Sequence, residues 1–394
     1  MQMSIISGVS VRRWLLVVMC AVAALFAAAL PSVKAQSDAV LPRPLYYIGE
    51  DQQIHRLEAD AEATSIITAE PTPITHFDVS PTDGALAFVT ANKLVVTDNI
   101  GQSRTVLFDG GTLTLDQGYV NVNDMLTREV TAPRWSPDGS QIAFGYGGVN
   151  FIPKAGGVAI LALANTTGDT TNSPNMPVGA KIYRPHAWSP DGTRLVAAFN
   201  YVPEGGGYAI FPVAGGAALE PKDVETGFNI ACCEATWSLD SSSVYFSSPA
   251  QGIVPAGLWL VNAATGDALT LIRGWQEGGD SSVKLVGMAE ILSDGKLYYF
   301  YGLGVLDMGT APLNMFRADA DGLSGQTMLR ADAYEISEAV WSPDGSGAVI
   351  ADQTKFDYGN KLPPFYFPTR WLRADGGDVV TLPEVGQGLR WGVQ

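Results

Sequence analysis

Short apolar runs return along the chain, each just behind a cluster of turn-forming residues. Residues 141–144, 194–199, 244–246 and 296–300 are apolar at nearly every position. Runs this short, without strict alternation, are expected of strands covered on both faces. A second apolar run follows, for example at 157–163, 208–213 and 258–261. Small polar or glycine turns such as 318–322 and 373–377 then lead to a shorter fourth strand. The unit predicted is a four-stranded antiparallel sheet, its strands a to d in chain order.

The polar clusters between strands a and b are nearly identical. Trp135-Ser136-Pro137-Asp138-Gly139 recurs as Trp188-Ser189-Pro190-Asp191-Gly192 and as Trp341-Ser342-Pro343-Asp344-Gly345, and in altered form as Trp237-Ser238-Leu239-Asp240-Ser241. Weaker copies begin at Val79 and Leu292. Proline presets its own φ, aspartate bonds the backbone ahead and glycine accepts positive φ, which is hairpin chemistry. The Trp-like positions 79, 135, 188, 237, 292, 341 and 391 lie 49 to 56 residues apart. A fixed period of this size means stacked supersecondary units.

Taken together, the Trp-Ser-Pro-Asp-Gly turn, the apolar strand behind it and the Asp-x-Asp-Gly turn at Asp319-Ala320-Asp321-Gly322 resemble TolB-type, WD40-like propeller repeats (PD40) over residues 45–394. The resemblance implies an all-β propeller and leaves function open. Near the start, 45–49, 53–57 and 64–68 read as strands b, c and d with no strand a before them. Near the end, 388–393 reads as a lone strand a. The two pieces make one shared blade and a seven-bladed ring, in which no sheet edge stays unpaired. TolB itself implies six blades, which is the alternative.

Residues 1–35 read as an export signal: Arg12-Arg13, an apolar run from Trp14 to Leu30, and Val33-Lys34-Ala35 as a cleavage site before Gln36. The alternative is an uncleaved membrane anchor. Residues 36–44 form a linker, and 45–394 one propeller domain. The expected place is extracytoplasmic: periplasmic, cell-surface or secreted. The formal net charge of −16 becomes −19 when Arg12, Arg13 and Lys34 leave with the signal. That charge argues against nucleic acid and anionic membrane surfaces as partners.

Candidate chemistry falls into three groups. Just ahead of the Trp-like positions stand His76, Asp78, Arg134, His186, Glu234, Glu290, Glu338 and Arg390, which different blades would bring to one channel mouth as a polar ligand site. The alternative is that they are solvated or pair across neighbouring a strands. Long b-to-c connections at 146–156, 200–206, 248–256, 301–312 and 352–368 carry Phe151, Tyr201, Tyr358, Phe365, Tyr366 and Phe367, an aromatic crescent suited to recognition. Cys232-Cys233 would form a vicinal disulfide in an oxidising compartment, or remain two thiols.

The chain has no Gly-x-Ser-x-Gly elbow and no His-Glu-x-x-His, and its three histidines are isolated in sequence. No metal and no cofactor are expected. The first functional expectation is a module that binds an envelope or extracellular protein or glycan through the long-connection face. The second is a glycosidase or polysaccharide lyase using channel-mouth carboxylates, and the third a purely structural part of an envelope assembly.

Overall fold

The computed structural model describes residues 39–112, 129–156, 160–162, 181–201, 206–227, 230, 234–248, 256–274, 282–305, 311–321, 324–354, 356 and 363–393. Residues 41–394 form one compact unit. Among the described residues every regular element is a β-strand, and no helix is long and apolar enough to cross a membrane. The signal expected at 1–35 and the pair Cys232-Cys233 lie outside the described residues.

The four-strand unit is plainest at Ile74–Val79, Leu86–Thr90, Lys93–Thr97 and Thr105–Asp109, which pair antiparallel in chain order. The same order recurs from Glu234–Trp237 to Asp267–Arg273 and from Ser282–Ile291 to Thr327–Tyr334. The apolar core is divided among the gaps between successive sheets. Ala87 and Val89 of one sheet meet Trp135, Ile142 and Phe144 of the next. Val196 and Tyr208 likewise meet Trp237 and Phe246, and Tyr298 and Phe300 meet Trp341 and Ile350. This is why the second strands are apolar throughout: Leu86, Phe88, Ile142, Phe144, Val244 and Phe246 have no measurable exposure.

The tight turns form as their residues dictate. Gly139 N–H donates to the Ser136 carbonyl at 2.9 Å, Ser136 Oγ donates to Asp138 at 2.6 Å, and Asp138 accepts the Ser140 N–H at 3.0 Å. The serine hydroxyl, followed by the Ser140 main-chain N–H, holds the Asp138 carboxyl below its usual range. Gly139 sits at φ 66°, and a Cβ there would come within 2.2 Å of Thr82 Oγ1. Ser241 replaces glycine in the altered copy and keeps the turn at φ 61°. Its hydroxyl accepts the Asp191 N–H of the neighbouring turn at 3.1 Å.

Three expectations need correction. The segment 157–163 is not the third strand of its sheet. Gly147 at φ 67° reverses the chain at once, Tyr146 N–H bonds the Gly148 carbonyl, and Val149–Pro153 is the third strand. Ile160–Ala162 pairs outside it as the fourth. The connection at 146–156 is therefore a short hairpin plus a strand, and Phe151 is core, 1% exposed and edge-on to Trp188. The strand from Lys296 runs on to Val305, because Ser282–Ile291 pairs with it that far.

The sheet of Lys181–Trp188, Arg194–Tyr201 and Gly206–Pro212 has three strands. Its outer edge is met by one bridge, Ile210 to Leu219. The chain then crosses over, and Lys222–Asp223 pairs parallel with the outer strand of the next sheet at Asp267 and Ala268. Buried Asp223 fixes the crossing by accepting Thr270 Oγ1 at 2.8 Å and Trp259 Nε1 at 3.3 Å.

The two ends of the domain meet. Val380–Trp391 pairs through its first half with Phe367–Arg373, and through its last residues with Leu45–Ile48, in the register Leu45 to Trp391 and Ile48 to Gln387. The sheet continues outward through Ile54–Leu57 to Thr64–Ile66.

Candidate functional site

Asp78, Arg134, His186, Glu234, Glu290, Glu338 and Arg390 converge on one cavity of about 570 Å³. Each stands on the first strand of its sheet, one to three residues before the Trp-like position. Pro190 and Leu239 of the tight turns complete the wall. The cavity therefore reaches the tight-turn side. His76 shares its strand with Asp78 and is not part of the lining.

These side chains are engaged with one another's strands in a circuit. Asp78 Oδ2 accepts the Trp135 N–H at 2.8 Å, and Arg134 Nε donates to the His186 carbonyl at 3.0 Å. His186 Nε2 accepts the Ala235 N–H at 3.0 Å. Glu234 accepts the Met288 N–H and, at 3.2 Å, the Ser247 hydroxyl. Trp341 Nε1 donates to the Met288 carbonyl at 2.6 Å, joining the fifth first-strand to the sixth. Glu338 accepts two N–H groups, from Gly388 and Leu389, each at 2.8 Å. Arg390 Nε then lies 3.3 Å from Asp78 Oδ1, back at the start.

The repeated tryptophans add a second set of links. Trp188, Trp237 and Trp391 donate through Nε1 to the carbonyls of Arg134, Ala187 and Trp341 on the preceding first strand, at 3.0, 3.1 and 2.7 Å. Trp135 Nε1 is buried without an acceptor. Its ring is instead covered by Lys154, 5.4 Å from the centroid.

The shared burial sets the protonation of the cavity. Desolvation pushes Glu234 and Glu290 up to about 7, although the Met288 N–H and the Trp341 main chain act the other way. Desolvation, aided by Arg134 and Arg390, pushes His186 down to about 3. His76 falls to about 4 through desolvation and the guanidiniums of Arg134, Arg184 and Arg390. Arg134 itself is lowered to about 10 by desolvation and by Arg390. Both histidines are neutral at pH 7, and His186 then carries its proton on Nδ1, since Nε2 accepts.

On the side of the long connections, Phe356, Phe365 and Phe367 gather, each half-buried. Phe356 packs edge-on to Phe367 at 4.7 Å between centroids, and Phe365 lies 6.2 Å from Phe356. Tyr366 between them has a shielded hydroxyl without a hydrogen-bond partner, and burial raises its pKa. The crescent of the sequence reading is thus partial. Phe151 is in the core, Tyr358 lies outside the described residues, and so does the side chain of Tyr201. Arg184 is a charged first-strand residue that the sequence reading left out; it is not part of the lining, and its charge acts on His76. Its signal was its place two residues before His186 on the same strand.

No protein-family model matches the chain, and no curated protein sequence matches it. Among solved structures, the periplasmic gluconolactonase of Pseudomonas aeruginosa is similar at 15% identity, with 89% of this chain and 99% of that one covered and a TM-score of 0.50. TolB from Acinetobacter baumannii is 12% identical over 87% of this chain and 79% of its own, with a TM-score of 0.40. A prolyl endopeptidase is 11% identical over 79% of this chain and 43% of its own, with a TM-score of 0.47. At such identities likeness speaks of fold alone. With the sheets above, the gluconolactonase match identifies a β-propeller fold.

Proposed function

We propose that the chain is an exported, seven-bladed, TolB-like propeller that serves as a binding module, docking an envelope protein or glycan on the side of its long connections. The double pairing of Val380–Trp391 supports the count of seven, because its last residues supply the first strand that Leu45–Ile48 otherwise lacks. The basic pair and apolar run of residues 12–30 support export.

The observation that carries the docking reading is the aromatic gathering of Phe356, Phe365 and Phe367 beside Tyr366. Partly exposed rings held by a rigid frame supply contact area at low entropic cost, as interface anchors do. The channel polar set supports the same reading by default, since its oxygens and nitrogens are largely taken up by main-chain partners. Phe365→Ala with Phe367→Ala should weaken capture of a partner from native envelope extract at least about tenfold, the effect of losing an interface anchor. Equal retention by wild type and double variant would remove the aromatic cluster from the proposal.

A second reading, an enzyme acting on carbohydrate, draws on one observation: Glu234 and Glu290 share a cavity and both titrate at about 7. Carboxyls so placed can exchange protons near neutral pH. Under that reading the wild type turns over an oligosaccharide, and the triple change Glu234→Gln, Glu290→Gln and Glu338→Gln lowers the rate at least about 100-fold. A wild type inert towards a broad panel of glycans sinks it.

A further inference from the structure

Two openings meet at the tight turns. The channel cavity of about 570 Å³ has Trp188 and Pro190 in its wall, and the same two residues border a groove of about 350 Å³ between the turns at 136–141 and 188–192. Both volumes are in the range of clefts that hold small ligands, about 300–1,000 Å³. Pro190 is exposed and Trp188 half-buried.

The charges along this path do not balance. Four carboxyls and two guanidiniums line the cavity. Arg390 lies 3.3 Å from Asp78 and 3.8 Å from Glu338, and the same two carboxylates favour the charge on Arg134. Glu234 and Glu290 remain, and neither forms an ion pair among the described residues. Arg390 acts on Glu290 less than burial does. Both hydrogen bonds of Glu234, from the Met288 N–H and the Ser247 hydroxyl, fall on Oε2, so Oε1 takes none among the described residues. The groove has Asp138 and Asp191 in its lining and no basic side chain. Enclosed carboxyls without a cation of their own favour a cationic ligand. His186 in the cavity wall adds a donor, because Nε2 accepts the Ala235 N–H and the Nδ1–H has no acceptor among the described residues. A donor beside acceptors matches hydroxyl groups, which act as both.

We propose that the cavity and the groove bind an oligosaccharide of amino sugars with free amines. One ammonium is set against Glu234 and Glu290, and the chain runs over Pro190 into the groove, where Trp188, Pro137 and Val213 cover the apolar side of a sugar ring. The proposal rests on the carbohydrate reading of this cavity and adds the sign of the ligand's charge. It requires binding and no turnover.

The test is calorimetric titration of the full chain with the glucosamine trisaccharide of chitosan, its fully N-acetylated counterpart from chitin, and spermidine. The amine trisaccharide should bind saturably and at least about tenfold tighter than the acetylated one, the order of one charge-assisted hydrogen bond. Added salt should weaken it. Glu234→Gln with Glu290→Gln should lower its affinity to the same extent, and so should Pro190→Arg, which puts a cation where cavity and groove meet. The melting temperature should survive Pro190→Arg, since Leu239 holds the equivalent place in a turn that still closes, Ser241 N–H to the Ser238 carbonyl at 3.0 Å. Absence of saturable binding by the amine trisaccharide overturns the proposal, and absence for both sugars removes the carbohydrate reading with it. Equal binding of the acetylated sugar overturns the ammonium and leaves that reading standing. Equal binding of spermidine overturns the sugar body, and an affinity unchanged in both variants overturns the placement.

Discussion

Replacing Trp341 by alanine should lower the unfolding free energy by about 3–5 kcal/mol, the range for removing a large aromatic from a close-packed core. Trp341 is 2% exposed, stacks on Phe300 at 4.9 Å and touches Tyr298 at 5.3 Å. It fills the gap between two sheets, so alanine leaves a cavity that neither rigid sheet can close. It also removes the Nε1 donor of the Met288 carbonyl. Phenylalanine separates the two effects. Trp341→Phe keeps most of the packing and loses the hydrogen bond, at about 1–2 kcal/mol. Trp135→Phe should cost less, because Trp135 Nε1 has no acceptor to lose. Urea denaturation followed by fluorescence measures all three. Equal losses for the two phenylalanine variants would show that the indole-to-carbonyl links add nothing to stability.

The pH dependence of stability should be flat in the middle and fall on both sides. Glu234 and Glu290 move from 4.5 to about 7 on folding, so the folded chain holds extra protons across that interval and stability is lost as pH rises through it. His186 and His76 move from 6.5 to about 3 and about 4, so the folded chain holds fewer protons there and stability is gained as pH rises. Between pH 4.5 and 6.5 the two pairs offset one another. Above that window the carboxyls alone still titrate, and stability declines towards about pH 7. Below it the histidines dominate, and the turn aspartates such as Asp240, held at about 2 by Ser238, join the loss under stronger acid. Glu234→Gln with Glu290→Gln should abolish the decline above pH 6.5 and leave a rise from acid up to that point. A denaturation midpoint with the same pH profile in wild type and double variant would show that these carboxyls keep ordinary values.

The channel circuit shows which local signals carry three-dimensional meaning. His186, Glu234 and Glu338 stand two or three residues before a repeated tryptophan, and a repeat places near-equivalent residues at near-equivalent positions around an axis. Their convergence was therefore legible. Their partners were not, because the groups that satisfy them are main-chain amides of Ala235, Met288 and Leu389, which any sequence would supply. Arg184 shows the opposite case. It lies outside the repeated spacing, and its Nε is buried without an acceptor among the described residues, a property that only packed neighbours define.

The aromatic positions divide on the same ground. Phe151 looked like a loop residue because glycines and a proline surround it, yet Gly147 closes the hairpin so early that Phe151 belongs to a strand facing Trp188. Phe365 and Phe367 stay at the edge of their sheet, since the strand Phe367–Arg373 begins only there.

The sequence by itself determined the repeating unit, its turns and its strand order, because proline, aspartate and glycine act on the backbone within a few residues and apolar runs report burial directly. It also determined that the first and last strands belong together, since each terminal piece lacks what the other has. Tertiary structure alone decided the three-stranded sheet with its crossing at Lys222–Asp223 and the side to which the polar cavity opens. These depend on which groups lie opposite one another across gaps between sheets, at separations of about 50 residues, where local propensity has no reach.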